Sequence, residues 1–163
     1  PKIALQTSLL PAPTSPESPT ISPACTLIFT FRNHLFPVQV EGAKLITGDV
    51  HALQGNGEVL ASLEIPAKIT LKVELIKGRQ EKWPVLETED SWSMITSGLT
   101  SDEANTYAMD AMAEFLTRRG TKNNLEWLTF MGLVGEANIC KVVDTYKTSR
   151  FTMKKMYTEG IEF

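Results

Sequence analysis

The sequence predicts an α+β fold: a β-rich first half of strands and hairpins, followed by a two-helix hairpin and a closing strand. Three observations carry this. In "KITLKVELI", Ile69, Leu71, Val73 and Leu75 alternate with Lys68, Thr70, Lys72 and Glu74, the period-two pattern of a half-buried strand. Behind Thr100, residues Ala104, Tyr107, Ala108, Ala111, Met112, Phe115 and Leu116 recur at helical spacing. The strand-like composition ends near Gly98, where the helical pattern begins, so the two kinds of element are segregated along the chain rather than alternating.

The 163 residues suffice for one domain with a buried core. Pro1, Pro11, Pro13, Pro16, Pro19 and Pro23 are interleaved with Ser and Thr, and each removes a backbone donor. Residues 1–34 therefore read as an extended or disordered arm, and 35–163 as the folded part. "TLIFTF" (Thr26 to Phe31) is a short β-rich run, and "PVQVEGAKLIT" follows it with a break at Gly42. Gly78 ends the alternating strand, and "WSMITSG" supplies one more. "TSDE" is a capping box, with Thr100 as cap and Glu103 three residues on; Arg118 and Arg119 suit the negative end of that helix, and Gly120 stops it. A second helix begins at Asn123 or Asn124 and runs through "LEWLTFMGLVG", and "NICKVVD" returns as a strand. The Met and aromatic stripe on the helices reads as core.

Composition excludes several classes of function. A hydrophobic fraction of 42% and a charged fraction of 21% are those of an ordinary globular protein. A net charge of −3 gives no reason to expect nucleic acid or an anionic membrane as partner. No apolar run approaches the roughly eighteen residues of a membrane span. Pro1 to Leu10 lacks the pattern of a signal peptide, and Cys25 and Cys140 form no CxxC pair, so the expected setting is the reducing cytoplasm.

Chemistry concentrates in "GDVHALQGNGEV", residues 48–59. Asp49 and His51 are two apart and would share one side of a strand. Glu58 follows the Gly55-Asn56-Gly57 turn, and a chain folding back there would bring it toward both. One imidazole and two carboxylates suit a zinc-type cation, and Gln54 could donate to a substrate carbonyl or orient a ligand. The same residues also suit a plain hairpin turn, and spacing alone leaves both readings open. The "GNG" run lacks the third glycine of a dinucleotide site, and there is no GxSxG elbow or HExxH helix. His34 in "FRNHLF" reads as packed or partly exposed, Cys140 as no nucleophile, and "ETEDS" (Glu87 to Ser91) as a solvated loop.

The run "PVQVEGAKLITGDVHALQGNGEV" resembles the hallmark segment of the acetamidase/formamidase family, a Gly-Asp-x-His-Ala-x-Gln-Gly-x-Gly-Glu stretch behind an entry strand. "ASLEIPAKITLKVELIKG", "WSMITSGLTSDEANTYAMDAMAEFLTRRG" and "NNLEWLTFMGLVGEANICKVVD" resemble the segments that follow it, so the similarity runs from about Phe36 to Val143. The resemblance implies a hydrolase that releases ammonia from formamide, acetamide or a related short amide, in some members with a divalent metal, and the donor types make zinc the expected one. Carried onto this sequence it implicates Asp49, His51, Gln54, Gly55, Gly57 and Glu58. On chemical grounds Asp49, His51 and Glu58 would be metal ligands, Glu58 and Gln54 catalytic, and Gly55 and Gly57 would bind substrate through backbone N–H groups.

The resemblance has two departures. Family members carry an amino-terminal β-rich half without counterpart here, and Pro1 to His34 does not resemble the segment that should precede Phe36. Asn56 also stands where an acidic residue is common. The expected partners are accordingly a small amide and either further copies of the chain or a missing amino-terminal half. The alternative to an amidase is a non-catalytic remnant or interaction domain that keeps the fold.

Overall fold

The computed structural model describes residues 2–8, 31–38, 40–77 and 81–162. In chain order they form β1 (Lys2–Ser8), β2 (Phe31–Phe36), β3 (His51–Leu53), β4 (Gly57–Glu58), β5 (Leu63–Glu64), β6 (Thr70–Ile76), β7 (Val85–Thr88), β8 (Ser91–Gly98), α1 (Ser101–Arg119), α2 (Asn124–Val134), β9 (Glu136–Lys141) and β10 (Lys147–Lys154), closed by a 3-10 turn at Lys155–Tyr157. Eight strands make one sheet in the order β4-β9-β10-β8-β7-β2-β1-β6, and β3 and β5 pair separately. Apart from the short parallel contact of β4 with β9, neighbours run antiparallel. This is the α+β arrangement the segregated composition predicts.

One face of the sheet is made apolar by alternation. Leu35 stands opposite Val85, Val85 opposite Met94, and Met94 opposite Phe151, with Trp92 opposite Met153 beside them. All six are buried. Helix α1 lies across β8 and β10 on this face and adds Ala108, Ala111, Met112, Phe115 and Leu116, while α2 adds Trp127 and Met131. Phe115 meets Trp92 with ring centroids 5.6 Å apart. Burial of these large side chains, each stabilising by about 1.5–3 kcal/mol, is the main favourable term holding the helices to the sheet.

Both helices start as their sequences require. Thr100 accepts the backbone N–H of Glu103, whose carboxylate in turn takes the N–H of Leu99. Asn123 and Glu126 cap α2 reciprocally. Gly120 ends α1 for a different reason than left-handed freedom. Its backbone is extended (φ −95°), and a side chain there would meet the Trp127 ring at 2.6 Å. Glycine lets α2 fold back tightly.

Several expectations need correction. Of the arm expected over 1–34, Lys2–Ser8 is a strand paired with both β2 and β6. It contains no proline, so nothing blocks its ladder; Pro11 to Pro23, Cys25 and Thr26 to Thr30 lie outside the described residues. "PVQVEGAKLIT" forms no strand among its described residues, which are mostly exposed, with Gly42 at φ 72°. "FRNHLF" is the strand instead. Glu87 is not in a solvated loop: it is buried on β7, accepting from Asn33 Nδ2 at 2.7 Å and Lys155 Nζ at 2.6 Å. The closing element is two strands, since "KTSRFTMK" forms β10 with Ser149, Phe151 and Met153 inward. Finally, the apolar side of β6 is not buried. Glu74 shares a register column with the core residue Leu35 through Ala4, which turns Val73 and Leu75 to the other face, 51% and 56% exposed.

Candidate metal centre and active site

The polar stretch 48–58 is a turn followed by a three-residue strand, and neither part works as simple alternation suggests. Asp49 precedes the strand in a left-handed conformation (φ 56°), which aspartate tolerates better than most residues. That twist, rather than shared strand direction, brings its carboxylate Oδ1 to 3.0 Å from His51 Nε2. Strand β3 then pairs with β5, placing His51 opposite Glu64, and the Ile65 N–H to Val50 carbonyl bond of 3.0 Å extends the ladder. Asp49, His51 and Glu64 thus offer three ligand atoms within 4.8 Å of one another.

Gln54 defines the histidine. Its amide nitrogen donates to the Cys140 carbonyl on β9 at 3.3 Å, which leaves its oxygen facing His51 Nδ1 at 2.7 Å. An oxygen can only accept, so Nδ1 carries a proton and Nε2 is the atom left for Asp49 or a cation. The Gln54 hydrogen bond, then Asp49, raise the His51 pKa above the ordinary histidine value.

Of the residues expected as ligands, Asp49 and His51 come together and Glu58 stays apart. The Gly-Asn-Gly turn does not fold β4 back on β3: β4 pairs with β9 at Lys141. Glu58 accepts from Ser62 Oγ at 2.8 Å and reaches His51 only through its charge. The second carboxylate is Glu64, which the sequence reading passed over. Its one local signal was the "LE" pair, too short a run to register as a strand. Gly57 has φ 99°, a conformation that a side chain would strain, whereas Gly55 has open space around it. Asn56 ties the turn to the sheet, accepting from Arg150 at 3.0 Å and donating to Asn138 at 3.3 Å. Cys140 contributes its carbonyl, and burial pushes its thiol pKa up, away from nucleophilic use.

The donor set fits a divalent cation of the zinc type, with one imidazole nitrogen, two carboxylates and a second hydrogen bond orienting the imidazole. Beside it opens a cleft of about 410 Å³ lined by Asp49, Val50, Glu64, Ile65 and Pro66. That is room for a small amide. The surrounding loop leaves Leu53, Val59, Leu60 and Leu63 exposed. Among the described residues no helix is long and apolar enough to cross a membrane.

Residues 32–156 match the sequence model of the Acetamidase/Formamidase family. An acetamidase of Mycolicibacterium smegmatis is 35% identical over 124 residues, covering 66% of this chain and 30% of that protein. A formamidase of Methylophilus methylotrophus is 31% identical over 114 residues, covering 62% of this chain and 27% of that protein. The crystal structure of a predicted acetamidase/formamidase from Thermoanaerobacter tengcongensis superposes with a TM-score of 0.75 at 39% identity, over 80% of this chain and 44% of that one. The chain thus spans less than half the length of each of these relatives.

Proposed function

The chain belongs to the acetamidase/formamidase family, and from that premise we propose that it carries the metal-holding part of an amide hydrolase that releases ammonia from short linear amides such as formamide or acetamide. The observation that carries this reading is the convergence of Asp49, His51 and Glu64 at the mouth of a cleft of amide size.

The reaction adds water across the C–N bond: a C–O bond forms at the carbonyl carbon, the C–N bond breaks, and a proton passes to the departing nitrogen. Asp49 Oδ1, His51 Nε2 and a Glu64 oxygen would hold the cation, zinc being the one the donor set suits best. Such a cation supplies polarisation of the amide carbonyl and a lowered pKa for water. Glu58, whose carboxylate is steadied by the Ser62 hydroxyl, is the residue assigned to carry the proton from water to the leaving nitrogen. Gln54 positions His51 rather than contacting substrate, because both ends of its amide are engaged. The backbone N–H groups of Gly55 and Gly57 would be the donors for the developing oxyanion.

The test is zinc content and ammonia release from formamide and acetamide, for the chain and for its Asp49→Ala and His51→Ala variants. Zinc bound at one equivalent and lost in both variants, with chelator-sensitive ammonia release, is the expected outcome; full zinc retention in both variants would sink the site. A second reading has its own observation: the site is open to solvent in a chain spanning 30% or less of its curated relatives. Zinc binding without ammonia release, from a folded chain, would favour that non-catalytic reading.

A further inference from the structure

The two edges of the main sheet are guarded very differently. At one end lies β4, only two residues long, too short to template another strand. At the other lies β6, seven residues paired continuously with β1 from Lys2↔Ile76 to Ser8↔Thr70, with no shift in register. Its outer edge has no strand partner among the described residues. It carries no proline, glycine or bulge, and of the usual protections of an exposed edge it has only charge, Lys72 and Glu74.

The residues along that edge are complementary to themselves. Lys72 and Glu74 project from one face and form an ion pair along the strand, both more than half exposed. Leu71, Val73 and Leu75 project from the other. If a second copy of the strand runs antiparallel with Val73 opposite Val73, residues whose numbers flank 73 symmetrically face each other. Lys72 then meets Glu74 of the second copy, Glu74 meets Lys72, and Leu71 meets Leu75. Each like-face pair is favourable in kind.

Neighbouring registers fail. Centring on residue 72 opposes two lysines, and centring on 74 opposes two glutamates. Slipping by a single residue sets Lys72 against Val73 and mixes the two faces. Parallel pairing in register stacks lysine on lysine and glutamate on glutamate. The alternation of outward-pointing backbone groups is also symmetric about Val73, so a two-fold there pairs donors with acceptors.

We propose that β6 is a homodimerisation edge, pairing antiparallel with β6 of a second copy of this chain about a two-fold axis through Val73. This contact is isologous and closes on itself, so it yields a dimer rather than a fibre. It is independent of the amidase reading.

Charge reversal tests it, because one substitution alters two symmetric pairs. Sedimentation velocity of the full chain should show a dimer in the micromolar range. Lys72→Glu or Glu74→Lys alone opposes like charges twice and should weaken dimerisation about tenfold. The double variant Lys72→Glu/Glu74→Lys restores opposite charges across the axis and should restore the dimer. Circular dichroism establishes that each variant is folded. Register is tested by Val73→Cys in a Cys25→Ser/Cys140→Ser background. Only this register puts the two introduced thiols at a Cα separation of about 4.5–5.5 Å, within disulfide range. Mild oxidation should then give a covalent dimer, and Leu75→Cys in the same background should not. A monomer at 100 µM (on the order of the highest concentration used), a dimer indifferent to the single reversals, or a dimer not rescued by the double variant would overturn the proposal.

Discussion

Gln54 Oε1 sits 2.7 Å from His51 Nδ1, while the same amide's nitrogen reaches the Cys140 carbonyl 3.3 Å away on a strand 86 residues further along the chain. The contact makes the tautomer of a candidate ligand depend on the folded sheet. Gln54→Ala should therefore weaken zinc binding about 10–100-fold, as loss of an orienting partner does elsewhere, while leaving the melting temperature nearly unchanged. Chelator competition reads the affinity. An affinity equal to that of the unsubstituted chain would show that Gln54 does not orient His51.

Glu64 and Glu58 should separate cleanly. Glu64 lies within the converging group and Glu58 does not. Glu64→Gln is expected to lower zinc affinity by at least about tenfold. Glu58→Gln is expected to keep the metal and lose ammonia release. Equilibrium dialysis with zinc on the two variants decides; the reverse pattern would return Glu58 to the ligand set.

His34 makes stability depend on acid. Burial lowers its pKa from the ordinary 6.5 to about 4. Between those values the unfolded chain takes a proton that the native chain refuses. The contribution is thus fully present above pH 6.5 and is lost as pH falls toward 4, at most about 3 kcal/mol at 1.36 kcal/mol per unit. Urea unfolding between pH 7 and 4 should show His34→Gln losing less stability than the unsubstituted chain over that window. Parallel pH curves for the two would show that His34 titrates normally in the native state.

Phe115 is the joint between α1 and the sheet, fully buried against Trp92. Phe115→Ala should destabilise the fold by about 3–5 kcal/mol through lost burial and the cavity left behind. Chemical denaturation measures this. A loss under about 1 kcal/mol would mean that the core closes around the gap and that the helix is held elsewhere.

Much of the architecture was legible because local rules were enough to specify it. The caps at Thr100 and Asn123 satisfy backbone donors within three residues of themselves, and the apolar spacing of α1 makes a stripe wherever the helix is placed. Strand β10 escaped notice although Ser149, Phe151 and Met153 alternate inward, because Ser149 is itself polar and Phe151 and Met153 alone are too few apolar positions to mark a period-two run. Glu87 read as solvated because its partners, Asn33 and Lys155, lie 54 and 68 residues away.

The sequence by itself determined the class of fold, the two helices, the family resemblance and two of the three converging side chains, Asp49 and His51. Tertiary structure alone decided the third. Glu64 stands beside His51 because β3 pairs with β5, and Glu58 is drawn off because β4 pairs with β9. It also decided that Val73 and Leu75 face outward although they alternate like core. Periodicity says that two faces differ, but which face is covered depends on what the rest of the chain lays against it, and strand pairing between distant segments is a choice no local spacing encodes.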